Sequence, residues 1–179
     1  MGKKLGSWKS LFSEEVFSTP WMSVYHDQFQ LPGGEKGNYF YLHTRGSSLI
    51  IPVTDEKKII LVRQYRYLVK STSLELPCGG IKDGQSEIDA AHAELVEETG
   101  YEAGKLKKIG TFIPYNGLSD EQCTVFLARR LTRVGARPER TEQIELVEST
   151  PEEMDGMIRK GRISDGMTIA GWLIGREKI

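Results

Sequence analysis

Cysteine is scarce in this sequence: the 179 residues include only Cys78 and Cys123. Two cysteines make no disulfide framework, and these two form neither a CxxC pair nor a zinc spacing. A reducing, cytoplasmic setting is expected. No apolar run approaches the roughly 18 to 20 residues needed to cross a bilayer. The opening MGKKLGSWKSLFSEE has charges but no apolar h-region, so a secretory signal is not expected. Net charge is also nearly absent: 24 Lys and Arg balance 25 Asp and Glu, giving −1. That argues against general attraction to nucleic acid or to an anionic membrane. There is no internal repeat and no low-complexity segment. The length suits one domain with a small appended arm and is enough to bury a core.

The chain begins with strand-like segments. Met22 to Leu31 alternates loosely and ends at Pro32-Gly33-Gly34, a strong turn signal. Asn38 to Thr44 reads as the return strand. Residues 1–45 are therefore expected to form a β arm that packs on the rest or on a second copy, since a hairpin alone is marginal. Ser47 to Val53 and Lys58 to Tyr65 are β-rich runs joined by a turn at Thr54 to Lys57. Leu74-Glu75-Leu76-Pro77 reads as a short strand closing on a proline. A helix is expected next, with Ser86 as N-cap, Glu87 and Asp89 in its first turn and Gly100 as its stop. Ile88, Ala91 and Leu95 give it an apolar stripe. Strands follow at Leu106 to Ile113, Cys123 to Leu131 and Ile144 to Glu148. Helices are expected over Pro151 to Lys160 and Asp165 to Ile174. Strands and three helices without regular βαβ alternation imply an α+β chain or an α/β/α sandwich.

The chemistry is concentrated between Gly79 and Tyr101. On a helix, Glu94 lies three residues from Glu97 and four from Glu98, so both can share its face. Like charges at close range cost energy, and a divalent cation removes that cost. Hard oxygen ligands suit magnesium or manganese, and magnesium typically also binds substrate phosphate. The glycines ahead of the helix allow close backbone approach. Acidic clusters on helices are usually solvated faces. Here the fixed glycines, short loop and small-residue helix make the pattern more specific.

That pattern resembles the Nudix box, G-x5-E-x7-R-E-U-x-E-E-x-G-U, with U a bulky apolar residue. Gly79, Glu94, Leu95, Glu97, Glu98, Gly100 and Tyr101 fit it. Gln85 stands where the box has Glu, and Ala93 where it has Arg. Arg63-Gln64-Tyr65-Arg66 and Glu75-Leu76-Pro77-Cys78-Gly79 resemble the R-Q-[YF]-R and E-L-P-A-G stretches of ADP-ribose and nucleotide-sugar pyrophosphatases. Pro114 to Ser119, Thr141 to Glu145 and Ile163 to Thr168 resemble later stretches of the same group. The resemblance covers most of the chain from about Ser47 onward.

The resemblance implies a Nudix-type α/β/α sandwich with a mixed sheet over residues 46–179, preceded by the arm. It also implies hydrolysis of the diphosphate of a nucleoside diphosphate sugar such as ADP-ribose, giving a nucleoside monophosphate and a sugar phosphate. The implied metal ligands are the Cys78 carbonyl, Glu94 and Glu98, with Glu97 supporting and Mg2+ as the ion (Mn2+ as an alternative). Glu142 is the expected base, ahead of Glu139 and Glu145, with Glu94 and Glu97 also at the reaction centre. Arg66 and then Arg63 would bind phosphate or the distal sugar, and Trp21 would stack on the base. His92 is expected to be structural or exposed. A homodimer through the N-terminal strands is expected, without nucleic-acid or membrane partners. Two rival readings are a Nudix hydrolase acting on a nucleoside triphosphate or coenzyme A, and a catalytically weak Nudix domain that senses a nucleotide sugar. Ala93 and Gln85 motivate the second.

Overall fold

A computed structural model describes residues 7–136 and 143–179. Two compact units are present, one formed by Met1–Arg45 with Tyr115–Glu121, the other by Gly46–Pro114 with Gln122–Ile179. In the first unit, β1 (Lys9–Ser18), β2 (Ser23–Gln30) and β3 (Lys36–His43) form an antiparallel sheet in that order. The expected turn closes β2 onto β3: the Leu31 N–H donates to the Glu35 carbonyl at 2.8 Å, and Gly34 takes φ +93°. Tyr115–Glu121 joins this unit through β3. The Leu42 N–H donates to the Leu118 carbonyl at 2.8 Å, and the Tyr39 hydroxyl donates to the Gly117 carbonyl at 2.9 Å. β1 was not foreseen as a separate strand. Every residue in it is exposed, and register shifts between Ser10 and Phe12 and between Glu15 and Phe17 break its alternation.

The second unit holds two sheets. β10 (Ile144–Ser149), β5 (Ile59–Arg66) and β6 (Ser71–Glu75) make one, in that order. β7 (Cys78–Gly80), β4 (Ser47–Pro52), β9 (Cys123–Arg133) and β8 (Tyr101–Phe112) make the other. β4 runs parallel to β9 and antiparallel to β7, so this second sheet is mixed. Among the described residues, three α-helices accompany the sheets: α1 (Glu87–Glu94), α2 (Pro151–Arg159) and α3 (Gly166–Gly175).

β4 explains the layering. Leu49, Ile51 and Val53 pack into a cluster with Met154 of α2 and Trp172 of α3. Ile50, on the opposite face, packs with Ala91 and Leu95 beside α1. A strand covered on both faces reads as an unbroken apolar run, as SSLIIP does. The α+β expectation, with helices on both faces of a mixed sheet, matches this arrangement. One detail differs: Ile88 is 43% exposed, while Ala90 and Ala91 are buried. Small side chains, not the branched one, let α1 settle on β4.

The other face is equally tight. A Cβ on Gly171 would lie 2.5 Å from Cδ2 of Leu49, and one on Gly175 would lie 2.2 Å from Cδ1 of Ile51. α3 therefore rests its backbone against β4. Gly171→Val is predicted to cost roughly 1–3 kcal/mol through overpacking. The check is the denaturant midpoint, which must fall; an unchanged midpoint contradicts this packing.

Candidate active site

The segment that leaves β6 is fixed before it reaches the glycines. The Leu76 N–H donates to Oγ1 of Thr168 at 3.0 Å, and the Pro77 carbonyl accepts from the Ile50 N–H at 2.8 Å. Thr168 is itself set by Asp165, the N-cap of α3, whose carboxylate accepts from the Thr168 N–H at 2.8 Å. Cys78 and Gly79 then pair with Leu49 and Ser48 of β4.

Beyond them the chain makes a short loop. The Lys82 N–H donates to Oε1 of Gln85 at 3.0 Å, and the Gln85 N–H donates to the Lys82 carbonyl at 3.1 Å. Gln85 thus closes the loop on itself, a bond its amide oxygen makes without charge. Ser86 caps α1 by accepting from the Asp89 N–H at 3.3 Å. The Ser48 hydroxyl donates to the Glu87 carbonyl at 2.7 Å and ties the first turn to β4.

α1 does not stay regular. Leu95–Thr99 form a wider turn, and Gly100 ends it in the left-handed region at φ +70°. Wide turns of this kind recur at functional sites. Widening keeps residues four apart aligned and rotates residues three apart away. Glu98 accordingly is buried at 5% exposure beneath Glu94, while Glu97 is only half-buried.

Two carboxylates meet the backbone of Cys78 and Gly79. A Cβ on Gly79 would lie 2.1 Å from Cδ of Glu94 and 2.2 Å from its Oε1, so only glycine leaves room for that carboxylate. Oε2 of Glu98 accepts from the Cys78 N–H at 3.2 Å. A third acid, Glu75, is 5% exposed and binds Arg66 through both oxygens, one of them 2.9 Å from Nε. This pairing raises the Arg66 pKa against the opposing effect of burial, and the charges of Glu98 and Asp165 add to the rise.

The reading of the sequence gave Glu75 no role. The signal was present: an acid between Leu74 and Leu76 in a strand must find a partner if buried. Cys78 has a sulfur partner in Cys123. That hydrogen bond, then burial, then the charges of Cys123, Glu98 and Asp165 push its thiol pKa well up. A thiol held neutral is no nucleophile at neutral pH, which leaves the backbone carbonyl as the useful oxygen of Cys78.

Arg63 pairs with Glu145 at 3.0 Å, both partly exposed. His92 is exposed on α1. Trp21, in the first unit, is 81% exposed and lines a hollow with Glu15, Tyr25 and His43. Glu142 and Glu139 lie outside the described residues.

Among the described residues, no three acidic, His or Cys side chains already converge as a metal cage. A pair of carboxylates beside a backbone carbonyl is still the donor set magnesium uses. It binds through one or two carboxylates and keeps several waters and substrate phosphates in its shell. The Gly79 cradle and the burial of Glu98 fit that use.

Residues 43–165 match the NUDIX domain model, and residues 8–42 match the nucleoside diphosphate sugar hydrolase N-terminal domain. The chain belongs to the Nudix hydrolase family. An ADP-ribose pyrophosphatase of Bacillus subtilis (strain 168) is 33% identical to this Nudix hydrolase over 162 residues, 89% of this chain and 88% of that protein. A methanol dehydrogenase activator of Bacillus methanolicus is 30% identical over 168 residues, 93% and 91% of the two chains. A solved structure described as an ADP compounds hydrolase superposes with a TM-score of 0.86 at 21% identity, over 98% and 96% of the chains, which supports the fold. Nudix hydrolases are generally dependent on a divalent metal.

Glu75→Gln weakens the hold on Arg66 and is predicted to cost roughly 1–3 kcal/mol, as for hydrogen bonds to charged groups. Thermal denaturation reads this loss, and an unchanged midpoint would show the pair to be incidental.

Proposed function

We propose that this Nudix hydrolase cleaves the diphosphate linkage of a nucleoside diphosphate sugar such as ADP-ribose, with Mg2+ as its ion and Mn2+ as a substitute. The observation that carries the reading is the convergence of Glu94 and Glu98 on Cys78 and Gly79, with the Arg66–Glu75 pair alongside. The matched N-terminal domain and the ADP-ribose pyrophosphatase relative favour the nucleotide-sugar class over triphosphates.

The Cys78 carbonyl, Glu94 and Glu98 are assigned to hold the ion, with Glu97 supporting from the next position. A bound divalent ion neutralises diphosphate charge and lowers the pKa of a water. Arg66, oriented by Glu75, directs its guanidinium at a phosphoryl oxygen or the distal sugar. A guanidinium presents donors in a fork that matches phosphate oxygens. Arg63 is assigned a lesser part in the same binding. Glu142 accepts the proton of the attacking water, and Glu94 and Glu97 orient the reacting groups. Trp21 offers an open indole face for stacking on the base.

The N-terminal strands are assigned to a homodimer interface. Trp8, Phe12, Phe17 and Phe40 are exposed there, more apolar surface than a solitary sheet leaves in water without a partner. A cytoplasmic location is assigned from the scarcity of cysteine. No helix among the described residues is long and apolar enough to cross a membrane.

The test incubates the protein and magnesium with ADP-ribose, other ADP-sugars, GDP-sugars, UDP-sugars and triphosphates, and identifies the products. A nucleoside monophosphate and a sugar phosphate are expected from one of the diphosphate sugars. Glu98→Gln is expected to lose more activity than the roughly 10- to 100-fold that removal of a supporting residue costs at a metal site. Tight binding of one compound without turnover would favour the sensing role that Ala93 suggests. Ala93→Arg restores the box arginine and is predicted to raise kcat with little change in KM. A fall in kcat would show that this helix tolerates no arginine.

A further inference from the structure

The four-stranded sheet has a second chemically distinct edge. Cys78 and Gly79 lie on β7, at one side of β4; β8 is the strand at the other side of the sheet. On β8 and its neighbour β9, Lys105 and Arg129 stand directly opposite each other. Like charges in that position repel. Lys57, from the turn between β4 and β5, and Arg130 join them around a hollow of about 290 Å³, whose lining includes one acid, Asp55. Lys105 and Arg129 also line a second hollow of about 310 Å³, with Lys107 and Lys178. Among the described residues, none of these six cations makes an ion pair.

Two of the cations sit on unusual backbone, Lys57 in the tight turn closed by the Thr54 N–H on the Lys58 carbonyl at 2.9 Å. Arg130 has φ +56° and Lys57 φ +61°, two of the three non-glycine residues with positive φ among those described. Up to Ala128, β9 alternates regularly: Val125 and Leu127 face the α3 side, while Phe126 and Ala128 face the α1 side. Leu131 then packs on the α1 side, so the alternation has slipped by one residue at Arg130. On β8, Ala103 and Leu106 pack on that same side although three residues apart. The slip is matched at Gly104, whose Cβ would stand 3.1 Å from that of Arg130. The pairing register is unbroken here, with Ala103 opposite Leu131 and Lys105 opposite Arg129; strained backbone of this kind persists where surrounding structure or function requires it.

We propose that this edge is a second, non-catalytic site for an anion made of linked phosphates, either inorganic polyphosphate or the phosphate tail of a nucleotide. Two hollows sharing Lys105 and Arg129 suit consecutive phosphoryl groups better than a single phosphate; the Arg130 guanidinium matches their oxygens, and Arg129, whose Nη2 donates to the Lys178 carbonyl at 2.7 Å, offers its remaining donors. Among the described residues, no aromatic side chain lines either hollow, so they offer no platform on which bases of a nucleic acid would stack.

The experiment is calorimetric titration of the full chain, with a chelator present, using inorganic tripolyphosphate, orthophosphate, a nucleoside triphosphate and a short single-stranded oligonucleotide. Tripolyphosphate is expected to bind at least about tenfold more tightly than orthophosphate, the difference of one or more charge-assisted hydrogen bonds. A nucleoside triphosphate that binds equally identifies the phosphate tail as what is held, and one that binds more tightly identifies a nucleotide as the source. Lys105→Gln and Arg130→Gly are each expected to weaken tripolyphosphate about tenfold or more while hydrolysis continues at the wild-type rate. Glycine relieves the positive φ, so Arg130→Gly is also expected to keep or raise the melting temperature, which separates lost binding from lost folding. The proposal is overturned if wild type binds no tripolyphosphate, if both variants bind it as wild type does, or if the oligonucleotide binds more tightly.

Discussion

Glu94 presses its carboxylate against Gly79 where a Cβ would come within 2.1 Å of it. Three pieces of structure have to agree for that approach to occur. β7 must be held flat on β4, which the hydrogen bonds of Leu76 to Thr168 and of Ile50 to Pro77 do. α1 must lie close to the same sheet, which Ala90 and Ala91 permit. Its last turn must then carry Glu98 back toward Cys78, and the wide turn at Leu95–Thr99 does so. Two carboxyl groups are thereby held together against one stretch of backbone. This is the pair of carboxyl groups, beside the Cys78 carbonyl, that is proposed to hold a divalent ion.

Much of this was legible in the residues, and the reason is locality. Ser86 as N-cap, the acids of the first turn and Gly100 as terminator act within a few residues of themselves, and all stand where they were expected. The apolar run of β4 announced a strand covered on both faces. Other features depend on partners distant in the chain or on register. The Arg66–Glu75 pair needs the β5–β6 hairpin to be in register before it exists, and the Cys78–Cys123 contact needs β7 and β9 on either side of β4. The wide turn has no composition of its own. The Thr99 hydroxyl bound back to the Leu95 carbonyl belongs to it, but threonine makes such bonds in ordinary helices too. β1 was hidden because its two register shifts erase the alternation by which strands are read.

The two departures from the box have different physical weight. Gln85 does its visible work, closing the Lys82–Gln85 loop, with a neutral amide. Ala93 leaves the helix carboxylates without an arginine on their own helix. Arg66, bound by Glu75, also lies within the electrostatic influence of Glu98. β5 therefore supplies one positive charge whose field is shared by Glu75, Glu98 and Asp165.

The proposed divalent-ion site stands or falls with Cys78–Gly79 and the two glutamates acting together. Titration of Mn2+ followed by electron paramagnetic resonance tests it without substrate or turnover, comparing the wild-type chain with Gly79→Ala. The wild type is predicted to take up Mn2+, and the variant, shown by circular dichroism to be folded, to bind it at least roughly tenfold more weakly because a methyl group displaces the Glu94 carboxylate. A folded Gly79→Ala chain with wild-type affinity would contradict the account.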